Sequence, residues 1–220
     1  MSKVVVIGGG AAGLVSAIVA SKNNNEVIIL EKNNTCGKKI LVTGNGKCNY
    51  WNEDQELSHY HSSNEEILEK IITSENKNKV LNFFSSIGII PKIKDGYYYP
   101  YSSLAASIQY ALIKEAEVAG VNILENYNVE TITKKDNQFI INNDIYCDKV
   151  IISTGSKAAP KTGSDGKGYE VLTHFGHKII PVLPALVQLK GEENYFKLWN
   201  GVRTQASISL YINNKYIKEE

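Results

Sequence analysis

The sequence predicts an α/β domain built on a parallel sheet, and three observations carry that expectation. A short apolar run, Val4–Ile7, enters a glycine cluster; a helical pattern follows over Ala11–Lys22; a second apolar run, Val27–Leu30, closes the unit within about thirty residues. Strand, helix and strand at that spacing make a parallel pair joined by a right-handed crossover. Val4–Ile7 is mostly β-branched and stands between a charged start and glycines, the pattern of a fully buried strand. Leu14, Val15, Ile18 and Val19 recur at helical spacing, and Asn23, Asn24 and Asn25 supply a polar stop. Residues 35–62 are rich in Gly, Asn, Thr and His without periodicity, so they read as an extended loop of a length that is usually functional or disordered. Helical patterns return over 65–74, over 76–86 with Gly88 as a breaker, and over 103–119 with Gly120 closing. Val121–Leu124 reads as a strand. Residues 129–134, 138–142 and 144–146 read as a small antiparallel meander, and Val150–Ser153 resumes a buried strand. Gly176 reads as a helix cap before a strand over 178–182. Ala206, Ile208, Leu210 and Ile212 alternate with polar or amphipathic positions, a half-buried strand over 205–212 leading into an Asn213-Asn214 hairpin turn. Only six residues follow, so the return strand is expected barely to begin and the chain to be part of something longer.

Composition narrows the function. The chain has 220 residues, 43% apolar and 21% charged, enough to close a core. Its formal net charge of +1 gives no bulk electrostatic reason to expect nucleic acid or a membrane as partner. Cys36, Cys48 and Cys147 cannot all pair and show no C-x-x-C spacing, against a disulfide framework or a structural zinc site. A reducing cytoplasm is the expected location. No apolar run approaches the ~20 residues of a membrane helix, and the amino terminus lacks the pattern of a signal peptide.

Gly8-Gly9-Gly10-Ala11-Ala12-Gly13 matches the G-x-G-x-x-G dinucleotide pattern. The first glycine permits a tight turn, the second lets backbone approach a pyrophosphate, and the third packs helix against strand. The helix N-terminus adds unpaired N–H donors aimed at a phosphate. Alone the pattern is weak, but here it follows a strand, opens a helix and precedes Glu31 by eighteen residues, where an acid accepts hydrogen bonds from an adenosine ribose. Thr35 to Asn49 carries three glycines with Lys38, Lys39 and Lys47. Such a segment either runs close to a flat ring or phosphate, or is a solvated basic loop; the residue types alone leave both open.

Four ordered blocks identify a resemblance. The glycine fingerprint, Glu31-Lys32 with Gly37-Lys38-Lys39-Ile40 and Thr43-Gly44-Asn45-Gly46-Lys47-Cys48-Asn49, then Gly96 to Ser102, and Thr154-Gly155-Ser156 through Tyr169 resemble the BaiN-like (YhiN-like) NAD(P)/FAD-dependent oxidoreductases. Lys38 and Lys47 stand where that family usually has Arg, keeping the charge without the bidentate fork, and Ser156 replaces the second glycine of T-G-G. The resemblance implies a Rossmann-like FAD-binding domain over residues 1–189, followed by the start of an inserted substrate-side domain over 190–220. It implies FAD as cofactor, NAD(P)H as electron donor and a small organic molecule as acceptor. Gly8, Gly10, Ala12 and Gly13 would meet the pyrophosphate, with Glu31 and Lys32 at the adenosine ribose. Lys39, Thr43, Gly44, Gly46 and Asn49 would approach the flavin side, Val129 the adenine, and Thr154 and Gly155 the cofactor channel.

Other features favour quieter readings. Tyr97 to Tyr101 reads as a cleft wall or core strand rather than a base-stacking platform, since no basic groove accompanies it. His59 and His61 lack a third ligand, capping explains Gly176 beside His174 and His177, and no metal site is expected. No nucleophile elbow or triad is present. A non-catalytic or truncated FAD-binding module is the alternative function, with a flavin-dependent RNA-modifying protein behind it.

Overall fold

The computed structural model describes residues 1–62, 64–183, 194–199, 202, 204 and 206–219. Twelve strands and five α-helices succeed one another along the described residues. β1 (Lys3–Ile7), α1 (Ala11–Lys22) and β2 (Glu26–Leu30) form the expected opening unit. A 3-10 segment, Ile40–Gly46, kinked at Thr43 to Asn45, and β3 (Trp51–Asn52) interrupt what the sequence presents as one loop. α2 (Glu65–Ile71) and α3 (Ser74–Ser86) follow. α2 stops short of the expected residue 74 because Thr73 caps α3, its Oγ1 accepting from the Asn76 N–H at 3.1 Å.

β4 (Pro91–Lys94) and β5 (Tyr97–Pro100) make a hairpin, with Asp95 and Gly96 both left-handed at its turn (φ 52° and 77°). α4 (Ala105–Val118) starts after Ser103, whose φ of 57° keeps it out of the helix. β6 (Asn122–Leu124) precedes the meander of β7 (Ile132–Lys135), β8 (Gln138–Ile141) and β9 (Ile145–Cys147). β10 (Lys149–Ile152) and α5 (Lys167–His174) complete the first of two compact units, Met1–Val182 and Leu183–Glu220. The expected strand over 178–182 does not form; Pro181 lies within it and has no N–H to give a ladder. The expected domain boundary at 189/190 lies outside the described residues.

The central sheet is parallel throughout in the order β10-β1-β2-β6. Period-two alternation sorts its side chains onto two faces. Val4, Val6, Val27 and Ile29 pack with Leu14 and Ile18 of α1 and Ile108 and Leu112 of α4. Val5, Ile7, Ile28 and Leu30 pack with Ile132, Ile141 and Cys147 of the meander. Each fully buried aliphatic side chain here is worth roughly 1.5–3 kcal/mol, so this three-layer core places the carboxyl ends of β1, β2 and β10 firmly. Ligands of such sheets bind at that edge.

In the second unit β11 (Ser209–Ile212) pairs antiparallel with β12 (Lys215–Glu219). Asn213 and Asn214 are both left-handed (φ 49° and 60°), as the two-residue turn requires. The return strand therefore forms, where the sequence suggested it would barely begin. Gln205, at the head of the expected strand, is outside the described residues, and residues 206–208 lie before the ladder.

Candidate functional site

The glycine turn is set by contacts a side chain would destroy. Gly8 has φ +98°, and a Cβ there would lie 2.8 Å from the Ser153 carbonyl oxygen. At Gly13 a Cβ would overlap the Gly8 carbonyl oxygen and stand 2.6 Å from Ser153 Oγ. Ser153 itself donates from Oγ to the carbonyls of Ile7 (2.9 Å) and Gly8 (2.8 Å), tying β10 to the turn. Gly10 differs. It is the N-cap of α1 with φ −72°, and a Cβ would meet nothing within 4 Å. Open space before a helix N-terminus is where an anion is best accommodated.

Glu31, at the end of β2, is buried. Its Oε2 accepts from the Gly9 N–H at 2.7 Å, and Oε1 accepts from the N–H (2.8 Å) and Nδ2 (2.6 Å) of Asn33. A carboxylate offers about four acceptor positions, so three protein donors leave room for a ligand hydroxyl. Cys36 lies under the same turn, where a Cβ on Gly9 would collide with its sulfur. Burial, reinforced by Glu31 and Glu125, pushes its thiol up to about 12. Cys36 is therefore a packing residue and no nucleophile at neutral pH.

These groups open onto a cavity of about 440 Å³, within the range of small-molecule and cofactor sites. Gly8, Gly10, Ala12, Glu31 and Lys32 line one side of it. Lys39, Thr43 and Asn49 line another, and Val129, Thr154 and Gly155 a third. Eleven of the fourteen residues singled out from sequence thus surround one space. Gly13, Gly44 and Gly46 do not line it. Gly13 is turned into the helix–strand packing, while Gly44 and Gly46 shape the loop through left-handed backbone (φ 54° and 79°). Thr43 Oγ1 donates to the Ile40 carbonyl at 2.6 Å. Burial also raises the Cys48 thiol, against a lowering hydrogen bond with Thr43.

The sequence reading missed two groups of wall residues. Ile40, Tyr50, Phe84, Ile108 and Leu112 give the cavity an apolar end; the Tyr50 and Phe84 rings pack tilted at 45° with centroids 4.6 Å apart. They come from four separate segments, so no local pattern marks them. Asn33, Thr162, Gly163, Ser164 and Asp165 close the Glu31 end, and the signal for Asn33 was its place two residues after the acid. Tyr97 to Tyr101 is not in this wall; Tyr97–Pro100 is β5, in a sheet of order β3-β5-β4. Among the described residues no group of His, Cys, Asp or Glu is arranged to hold a metal, and no helix is long and apolar enough to cross a membrane.

The family model of the HI0933-like protein Rossmann domain matches residues 2–218. The chain belongs to that family. Its relatives include a 3-dehydro-bile acid delta(4,6)-reductase of Clostridium scindens, 38% identical over 84% of this chain and 46% of that one. Two ribosomal RNA dihydrouridine synthases match more distantly: that of Haemophilus influenzae is 26% identical over 83% of this chain and 48% of its own, and that of Escherichia coli 25% identical over 69% and 38%. The chain thus spans less than half the length of these curated relatives. Among solved structures, a 3-ketosteroid-delta4-(5alpha)-dehydrogenase from Rhodococcus jostii superposes with a TM-score of 0.54 at 15% identity, over 71% of this chain and 46% of that one. THI4 of Thermovibrio ammonificans superposes with 0.50 at 16%, over 80% and 64%. These two share the fold. The resemblance carried by the four sequence blocks and the Rossmann-like architecture are both borne out.

Proposed function

We propose that the protein is an FAD-dependent oxidoreductase that takes reducing equivalents from NAD(P)H and reduces a small organic acceptor. The observation that carries this is the convergence of a glycine turn, a buried acid at the end of β2 and the Lys39–Asn49 wall on one cavity. The residues present fit the cofactor. Gly10 leaves space where a pyrophosphate would sit, Glu31 keeps acceptor capacity for a ribose, and the apolar end suits a flat ring system. FAD would supply the hydride chemistry when bound. The protein's part is to grip and orient: Gly8 and Gly10 through backbone, Glu31 through its carboxyl, Val129 at the adenine, Thr154 and Gly155 along the channel, and Lys39, Thr43 and Asn49 beside the ring. Tyr50, Phe84 and Ile108 exclude water from the inner end. Three free, buried cysteines suit a reducing cytoplasm.

The relatives' names narrow the acceptor. The delta(4,6) double bonds conjugated with a 3-keto group, and the uracil double bond lost in dihydrouridine, share one class, carbon–carbon double bonds conjugated to a carbonyl. That bond class is the proposed target. The synthase relatives make RNA uracil a second reading, but the near-zero net charge favours a small acceptor. Purified protein should release FAD, identified by chromatography, on heat denaturation and should oxidise NADH or NADPH in the presence of a cyclic enone. Flavin bound without such oxidation would mark a cofactor-binding module instead, and absence of flavin uptake contradicts the proposal.

A further inference from the structure

The segment between β10 and α5 closes the cavity beside Glu31, and contacts distant in sequence hold it there. Lys32 Nζ lies 2.8 Å from Asp165 Oδ2, across 133 residues of chain. Asn33 Nδ2 donates to the Thr162 carbonyl at 3.4 Å. Gly163, left-handed at φ +100°, passes so close that a Cβ would stand 2.8 Å from Asn33 Nδ2 and 3.1 Å from Lys32 Cε. Asn33 also donates to Glu31, which accepts from Gly9, so one polar chain runs from the glycine turn to the 160–165 segment. The other Asp165 oxygen accepts from the Lys167 N–H at 3.2 Å, which fixes the carboxylate at the start of α5. Lys32, Asn33, Thr162, Gly163, Asp165 and Lys167 all border the cavity.

We infer that Lys32 and Asp165 form a clasp holding residues 160–167 over the Glu31 end of the cavity, and are thereby positioning residues for the adenosine half of a bound cofactor. This rests on the FAD reading above. Lys32 is engaged by Asp165 rather than left as a free cation for a phosphate, so its contribution acts through the loop. The ion pair is the only one of these contacts that spans the two segments with side chains alone, which makes it removable without disturbing Glu31.

The test is a double-mutant cycle of Lys32→Met and Asp165→Asn, the latter keeping an acceptor for the Lys167 N–H. FAD and FMN affinities are read by flavin fluorescence, and backbone hydrogen exchange of residues 160–167 is followed in FAD-free protein. For a partly exposed pair, each single change should weaken FAD about three- to fivefold, with the double no worse than either single. Affinity for FMN, which lacks adenosine, should not move, and exchange over 160–167 should quicken equally in all three variants. Losses that multiply in the double would show that the two residues act separately, and singles indistinguishable from wild type in affinity and exchange would overturn the clasp. A wild-type protein that takes up no FAD defeats the FAD reading and the cofactor role with it, while exchange still decides whether the pair holds the loop.

Discussion

At the Gly8–Glu31 end the cavity wall is main chain held by the parallel sheet: Gly8 N–H donates to the Leu30 carbonyl at 2.9 Å, and Gly9 N–H to Glu31. At the Lys39–Asn49 end the wall is a kinked segment in which Gly44, Asn45, Gly46 and Cys48 are all left-handed, and Leu41, Val42 and Lys47 are exposed. The first end is preorganised by a core that would exist without any ligand. The second holds an irregular path through local turns, such as the Cys48 N–H donating to the Thr43 carbonyl at 3.1 Å and Lys47 N–H to Gly44 at 3.2 Å. Pyrophosphate recognition needs fixed donors, which a sheet edge supplies; approach to a ring needs bare backbone, which left-handed residues supply.

The sharpest way to break the first end is to compare its two glycines. Gly13→Val should prevent folding, because its side chain would overlap main chain at Gly8. Gly10→Val places its Cβ where nothing lies within 4 Å, at a φ of −72° that any residue adopts. It should leave the melting temperature near wild type yet abolish FAD binding by filling the pyrophosphate space. Calorimetry and flavin content together read this contrast; a Gly10→Val protein that keeps its flavin would remove the turn from the site.

The second end should respond less. Gly44→Val forces a β-branched residue to φ 54° with a Cβ 2.9 Å from the Asn49 nitrogen. A left-handed L-residue costs roughly 1–2 kcal/mol, so FAD affinity should fall about five- to thirtyfold with the sheet intact by circular dichroism. An unchanged affinity would mean that the loop's path is immaterial to the cofactor.

How much of this was legible follows the same division. β1, α1 and β2 could be placed to within a residue because buried strands and a helix of contrasting period leave a strong local signal, and the fingerprint then located Glu31. Tyr97 to Tyr101 reads as a cleft wall or core strand, but its hairpin partner β4 escaped, although Asp95-Gly96 is a two-residue turn signal. Pro91–Lys94 is only four residues long and exposed throughout, with no buried apolar stripe to mark it. The reverse error at 178–182 came from reading apolar residues as a strand across a proline. In the site, residues next to the glycines and the acid were readable. Tyr50, Phe84, Ile108 and Asp165 were not assigned a place in the wall, since their proximity is created by tertiary packing between segments tens of residues apart.

The central claim, that the Glu31 end receives the adenosine of FAD, is tested most directly by titrating wild type and Glu31→Ala with FAD and with FMN. A charge-assisted hydrogen bond to a ribose is worth about 1.5 kcal/mol or more, so the substitution should weaken FAD by about tenfold at least and leave FMN unchanged. Equal loss for the two flavins would show that Glu31 serves only to hold Gly9 and Asn33, and the assignment of this end to adenosine would be wrong.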